Sequence, residues 1–290
     1  MNITLALGGG GSKGNSHIGV IRRLQQEGFN IQGVAGTSFG GIVAVFHALG
    51  YSPDQIEDLF SSIEQKNLYG HGEGEGPSLL GLAGARKLLK EEIGDRTFAD
   101  LKTPCILTAA DLRCGCETLL SEGSLVDALL ATVAIPGIFP PKRIGELELV
   151  DGGALDPVPV APARSLAPHL PVVAVVLTLP IGTPAQTWNI PMPDYVPHAL
   201  IERISRLSYS KALDVFLRSL DMIDRAVTEY RLEVDKPDII IRPPVTHIDI
   251  LERVDVREVA KLGEQAVEAV LPELKSLFAW HNRLRRAIGV

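Results

Sequence analysis

Eight residues, Val34-Ala35-Gly36-Thr37-Ser38-Phe39-Gly40-Gly41, constrain this chain more than any other stretch. A short apolar segment ends in a tight turn and passes at once into an apolar helical run, Gly41 to Gly50. Gly36-Thr37-Ser38-Phe39-Gly40 fits the pattern G-x-S-x-G, in which serine sits on a sharp strand-to-helix turn with its hydroxyl exposed. The glycines two positions either side of Ser38 have a steric reason, because such a turn presses backbone against positions 36 and 40, where a Cβ would clash. The start of the helix adds a partial positive charge near the hydroxyl.

The chain before this turn reads as strand, loop and helix. Ile3 to Leu7 is an apolar strand that runs into Gly8-Gly9-Gly10-Gly11-Ser12-Lys13-Gly14. A helical pattern follows, with Ile18, Ile21 and Leu24 on one face and a stop at Gly28, and Ile31 to Ala35 is a second strand. This opening predicts a parallel pair with a right-handed crossover, so that the loops after both strands emerge at the same sheet edge. The glycine loop and Ser38 are then neighbours.

Gly9-x-Gly11-x-x-Gly14 also fits the dinucleotide fingerprint, which needs an acidic residue near the end of the second strand. Between Glu27 and Asp54 there is none. A phosphate-cradling G-K-[ST] loop fails as well, because Lys13 stands between Ser12 and Gly14. The other use of such a loop is an oxyanion hole: glycines at a helix start expose N–H groups that no side chain obstructs. Gly10 and Gly11 are the candidate donors, each capable of contributing about 3 kcal/mol to a transition state.

A serine nucleophile needs a base. His17, His47, His71, His169, His198, His247 and His281 are scattered, and none sits in a strand-end turn. Asp151 ends a strand, Leu147 to Val150, and is followed by Gly152-Gly153, an arrangement that presents a carboxylate at a sheet edge. A carboxylate hydrogen-bonded to a serine hydroxyl can take its proton if it stays ionised. Asp111 and Asp156 are rival carboxylates in weaker contexts.

Further elements are expected as helices at Pro53–Leu68 (capped by Ser52), Ser78–Glu92, Ser124–Val133, 198–231 and 256–278, the last broken near Pro272. Strands are expected at Pro104–Ala109, Glu117–Leu120, Val172–Leu177 and Asp238–Arg242. The uninterrupted apolar run Val172–Leu177 suits a central parallel strand buried on both faces. With 290 residues, 46% hydrophobic content and no repeat or dividing linker, the chain reads as one α/β domain with a mainly parallel sheet. A net charge of −7 argues against nucleic acid as a partner. Cys105, Cys114 and Cys116 lack metal-ligand spacing, and Cys114-Gly-Cys116 is expected to hold reduced thiols. No signal-like start and no apolar run of about 20 residues is present, so a cytoplasmic protein, free to touch a membrane surface, is expected.

Gly9-Gly-Gly-Ser-Lys-Gly14, Gly36-Thr-Ser-Phe-Gly40 and Asp151-Gly-Gly153, in this order, resemble the three signature blocks of the patatin-like phospholipases. Ala109-Ala-Asp-Leu112 and Ala134-Ile-Pro-Gly-Ile-Phe-Pro-Pro141 resemble that family too, and the match is clear over residues 3–160. The resemblance implies a three-layer α/β/α fold and hydrolysis of phospholipid or lysophospholipid acyl esters by a Ser38–Asp151 dyad, without calcium or another cofactor. Gly10 and Gly11 fall in the oxyanion loop. Gly9, Lys13, Gly14, Gly36, Gly40, Gly152 and Gly153 support the motifs, with Lys13 standing where the family often has arginine. A nucleotide-binding regulator using the glycine loop and a Ser-His-Asp esterase are the alternative readings. Two further segments bear on access. The Tyr69–Pro77 glycine loop could hinge the Leu79–Leu89 segment as a lid, or that segment packs as an ordinary amphipathic helix. Trp188, Met192 and Tyr195, in a proline-rich stretch, could meet a lipid surface or an acyl chain.

Overall fold

The computed structural model describes residues 1–72, 76, 78–183 and 208–279, with side chains in the 208–235 helix described from residue 214. Trp188, Met192 and Tyr195 lie outside the described residues, as do His198 and His281. Strand β1 (Asn2–Leu7) leads through the glycine loop into α1 (Ser16–Gln26), β2 (Asn30–Thr37), α2 (Phe39–Ala48) and α3 (Pro53–Ser62). Then follow α4 (Ala83–Ile93), β3 (Cys105–Asp111), β4 (Cys116–Leu120), α5 (Leu125–Thr132), β5 (Lys142–Ile144) and β6 (Leu147–Asp151). The remainder is α6 (Val160–Leu166), β7 (Val172–Val175), α7 (Ser208–Asp235), β8 (Ile239–Ile241) and α8 (Val256–Ser276).

Side chains alternate across the sheet with the period of an extended strand, which creates two cores. On one face Ile3, Leu5, Leu7, Val173 and Val175 join residues of α1, α2, α3, α5 and α8. On the other, the smaller Ala6, Ala35 and Ala174 meet Val160 and Ala163 of α6 and Leu232 of α7. These are the three layers of an α/β/α fold. The strand order is β5-β6-β3-β2-β1-β7-β8, with β4 also paired to β3. Pairings from β3 through β2, β1 and β7 to β8 are parallel, while β4, β5 and β6 run antiparallel to their neighbours.

One junction positions everything that follows. Along one edge of β3, Cys105 to Thr108 pair with β2, ending at Thr37↔Thr108. From Ala109 to Asp111 the partner is β6, which runs the opposite way and ends at Asp151↔Ala109. The other edge of Leu107 to Asp111 is occupied by β4. A residue in a sheet has one neighbour on each side, so β6 takes the edge that β2 vacates. The last residues of β2 and β6 therefore meet end to end. Asp151 does close a strand at the edge expected, but that strand is antiparallel to β3.

Several elements depart from the sequence expectations. The helix after Ser52 carries the capping box, with Ser52 and Gln55 bonding each other's backbone N–H groups. It stops at Ser62 because Ile63 is extended, and only a 3-10 turn, Gln65–Asn67, follows. The Ser78–Glu92 helix begins at Ala83; Leu80, Leu82 and Leu89 are buried while Leu79 is exposed. Helix α8 runs through Pro272 unbroken, held by packing on either side of it, with Val267 and Leu274 both buried. Strand β5 and helix α6 had no sequence signal, being short. The reduced thiols expected at 114 and 116 are not found: Cys114 and Cys116 form a disulfide. The β3–β4 hairpin turn brings their Cα atoms to 5.3 Å, inside the reach of such a bond.

Candidate active site

Ser38 occupies the turn between β2 and α2 with φ 54° and ψ −127°, a conformation that a non-glycine residue adopts only when its surroundings impose it. Two contacts impose it. The Ser38 backbone N–H donates to Thr132 Oγ1 at 2.8 Å. The Thr37 hydroxyl below it lies 2.7 Å from Thr108 Oγ1 and donates to the Asp156 carbonyl at 2.8 Å. Gly40 lets α2 start directly under β1, since a Cβ there would collide with the Leu7 carbonyl.

The glycine loop lies against the serine: a Cβ on Gly9 would stand 3.3 Å from Ser38 Cβ. Its backbone is anchored on both sides of the candidate donors. Gly8 N–H donates to Val175 O at 3.0 Å, Gly9 N–H to Pro157 O at 2.9 Å and Ser12 N–H to Ile250 O at 2.8 Å. Among the described residues, no backbone acceptor is found for the N–H groups of Gly10 and Gly11, which stand at the start of a 3-10 turn, Gly11–Asn15. Gly11 has φ 57°, and a Cβ there would collide with the Ile250 carbonyl. Beneath the loop the buried His17 bonds the Gly8 carbonyl through Nε2 at 2.8 Å. Burial holds its pKa down to about 4, so it is neutral at pH 7 and donates that bond.

Asp151 lies beside the Ser38 hydroxyl, which acts to lower its pKa, and accepts on Oδ1 from Gly153 N–H at 2.8 Å. Its own N–H donates to Ala134 O at 2.9 Å. The end of α5 and the turn after it thus touch both partners, Thr132 the backbone of Ser38 and Ala134 that of Asp151. Asp151 is 6% exposed, and burial raises its pKa to about 6 against the opposing pull of the Ser38 hydroxyl and the Gly153 N–H.

The rival carboxylates are engaged elsewhere. Asp156 is fully buried and ion-paired to Arg231 at 2.9 Å. Asp111 Oδ1 accepts from Arg113 N–H at 3.1 Å and Glu148 N–H at 3.2 Å, capping the β3 hairpin. His47 is buried with neither ring nitrogen hydrogen-bonded, and its burial lowers its pKa to about 4. His169 and His247 are exposed, and no described histidine bonds Ser38. Lys13 is buried rather than solvated, 4% exposed, in the field of Asp221 and Asp224 of α7 and of Asp249. Its burial lowers its pKa and those acids oppose the shift. Asp224 is itself raised to about 7, by burial first and then by the charge of Asp151, so α7 reaches the site.

Ser38 opens into a cavity of about 560 Å³. Its walls are mostly apolar, including Phe39, Ile42, Phe46, Phe60, Leu89 and Phe139, with Asn15 and Ser12 near the glycine loop. Phe39, Ile42 and Phe46 lie at helical spacing on one side of α2, so the cavity follows that helix away from Ser38 for about 12 Å. Phe46 is packed edge-on against Tyr51 and Phe60 at 5.2 and 5.6 Å. Tyr51, behind it, does not reach the cavity.

The geometry brings together Ser38, Asp151, Gly9, Gly10, Gly11, Gly36, Gly40, Gly152 and Gly153, with Gly14 packed on Phe39. Thr132 and Thr108 gave no sequence signal, since a threonine near a helix end or in a strand is ordinary. The buried carboxylate has a measurable consequence for stability. Below pH 3.8 Asp151 is protonated in folded and unfolded chains alike; between 3.8 and 6 the unfolded chain loses its proton first and stability falls; above 6 the penalty, about 3 kcal/mol, is complete. Asp151→Asn is therefore expected to raise Tm by several degrees at pH 8 and by little at pH 4, as thermal unfolding would record. An equal gain at both pH values, or a loss at pH 8, contradicts the burial argument.

A family model described as patatin-like phospholipase matches residues 5–164. An uncharacterized NTE family protein of Mycobacterium tuberculosis is 31% identical over 97% of this chain and 80% of its own length. Patatin-like phospholipase domain-containing protein 7 of Rattus norvegicus is 26% identical over 64% of this chain and 14% of its own length. The crystal structure of VipD from Legionella pneumophila shares the fold, with a TM-score of 0.55 and 14% identity over 94% of this chain and 66% of VipD. The chain belongs to the patatin-like phospholipase family.

Proposed function

We propose that this protein is a serine acyl hydrolase that cleaves acyl esters of phospholipids or lysophospholipids by a Ser38–Asp151 dyad. The observation that carries the reading is a buried Asp151 beside the Ser38 hydroxyl, close enough for that hydroxyl to lower its pKa, at the mouth of an apolar cavity. Asp151 takes the hydroxyl proton as Ser38 Oγ attacks the ester carbonyl carbon. The N–H groups of Gly10 and Gly11 receive the negative charge that develops on the carbonyl oxygen. Collapse of the tetrahedral intermediate breaks the ester C–O bond, and Asp151 returns its proton to the departing alcohol. Water, deprotonated by Asp151, then attacks the acyl-serine; the fatty acid leaves and Ser38 recovers its proton.

Burial makes Asp151 a stronger base than an exposed aspartate and sets the pH range in which it works. The ionised form is required, so kcat/KM is expected to fall below pH 6, the value to which Asp151 is raised, and to level off above it. Ser38→Ala and Asp151→Asn are each expected to lower hydrolysis of a soluble ester by about 10⁴-fold or more while the fold is retained. Activity retained in either variant, or loss on substituting His169, His198 or His247 instead, contradicts the dyad and favours a histidine triad.

The cavity sets the acyl group. Phe46 forms its floor two helical turns from Ser38, so Phe46→Leu opens space at the distal end. Each further methylene buried there adds about 0.8 kcal/mol, about four-fold in kcat/KM. Relative rates on a series of p-nitrophenyl esters should move toward longer chains. An unchanged chain-length profile means that the acyl chain lies elsewhere.

A further inference from the structure

Helix α7 is apolar on two sides. Inward, Leu217, Thr228 and Leu232 are buried, and Leu232 packs on the sheet face that carries Ala6 and Ala35. Outward, Phe216, Ile223, Tyr230 and Val234 fall within about 40° of one another at 3.6 residues per turn, with Val215 and Met222 alongside. These side chains are exposed: Phe216 47%, Ile223 55%, Met222 62% and Tyr230 66%. A large contiguous apolar face of this kind marks a contact surface.

Two observations identify what it contacts. The first is position. The Phe216 ring lies over Gly137, in the proline turn whose Ile135 and Phe139 line the cavity, so the exposed stripe leads to that wall of the cavity. Leu79, 45% exposed, borders the same turn, because Leu80 N–H donates to Ile138 O at 2.8 Å. The second is charge. The charged residues flanking the stripe add no net positive charge: Arg218 pairs with Asp214 at 3.0 Å, Glu229 pairs with Arg242 at 2.8 Å, and the exposed Glu233 is acidic. Such a face offers nothing to an anionic surface, which the net charge of −7 disfavours as well.

We propose that the outer face of α7, with Leu79 and the 135–139 turn, docks on an electrically neutral lipid surface and aligns the Ser38 cavity with it. The choice of lipid as occupant rests on the acyl-hydrolase reading; binding itself does not require turnover. A second copy seated on the same stripe would cover the cavity wall, whereas a lipid surface there delivers substrate.

The test uses the full chain carrying Ser38→Ala, so that vesicles survive, with and without Met222→Ser, Ile223→Ser and Tyr230→Ser together. These three residues are exposed and lie outside the cavity. Flotation with phosphatidylcholine vesicles is expected to recover the parent, and the triple substitution is expected to weaken partitioning by about tenfold or more. Replacing part of the lipid with phosphatidylglycerol should not strengthen it. In the Ser38 background, the triple variant should keep its rate on a soluble short-chain ester and lose rate on vesicle-borne substrate. Equal flotation of both proteins, no flotation of the parent, binding that requires anionic lipid, or a parent dimer that the substitutions convert to monomer would each overturn the proposal. A parent that floats yet leaves the soluble ester intact would keep the docking face and remove the hydrolase reading.

Discussion

The structure depends on a change of hydrogen-bonding partner along one edge of β3. Strand β2 leaves that edge at Thr108, and β6 arrives from the opposite direction at Ala109. Two chain ends that meet head-on must both turn away. One becomes the strained Ser38 turn and the other the Asp151-Gly152-Gly153 turn. Because both are fixed by the backbone ladder of a common strand, the hydroxyl and the carboxylate are placed by sheet register rather than by flexible side chains. The cross-links at Thr37, Thr108, Thr132 and Ala134 hold the junction from below and behind.

The same placement governs the electrostatics. Asp151 sits where water is largely excluded, so its ionised form is destabilised and its proton affinity rises. In the proposed chemistry this is what a carboxylate needs in order to act without a histidine, and it trades folding stability for basicity. The described histidines fit that economy: His17 is a neutral prop beneath the glycine loop, and His47 is a buried apolar-like ring.

The motif residues were legible because each is demanded by local geometry that leaves a trace in sequence. Glycines at 36 and 40 mark backbone contact, the glycine loop marks free N–H groups, and Asp151 before two glycines marks a strand-end turn. The α/β class followed from apolar strands alternating with helical patterns, and the three layers were implied by the family resemblance. What could not be read depends on partners distant in the chain. The antiparallel direction of β6 is set by the edge that β2 leaves free, and Thr132 acquires its role only when α5 packs beneath Ser38. Cys114 and Cys116 meet because a hairpin turn folds them together, and α8 continues through Pro272 because its flanking residues are packed. The second apolar face of α7 lies in a stretch, 198–231, that the sequence marked only as helical.

Two apolar features, a cavity along α2 and an exposed stripe on α7, lie on either side of one proline turn, with Ser38 opening into the first. The claim on which this arrangement turns is that Ser38 is the activated nucleophile. Treating the folded protein at pH 8 with a fluorophosphonate and mapping the adduct by peptide mass spectrometry tests that claim most directly. The expected result is a single adduct on Ser38, absent from Ser38→Ala and strongly slowed in Asp151→Asn. An unlabelled Ser38 in the folded protein, or an adduct on another residue, would contradict it.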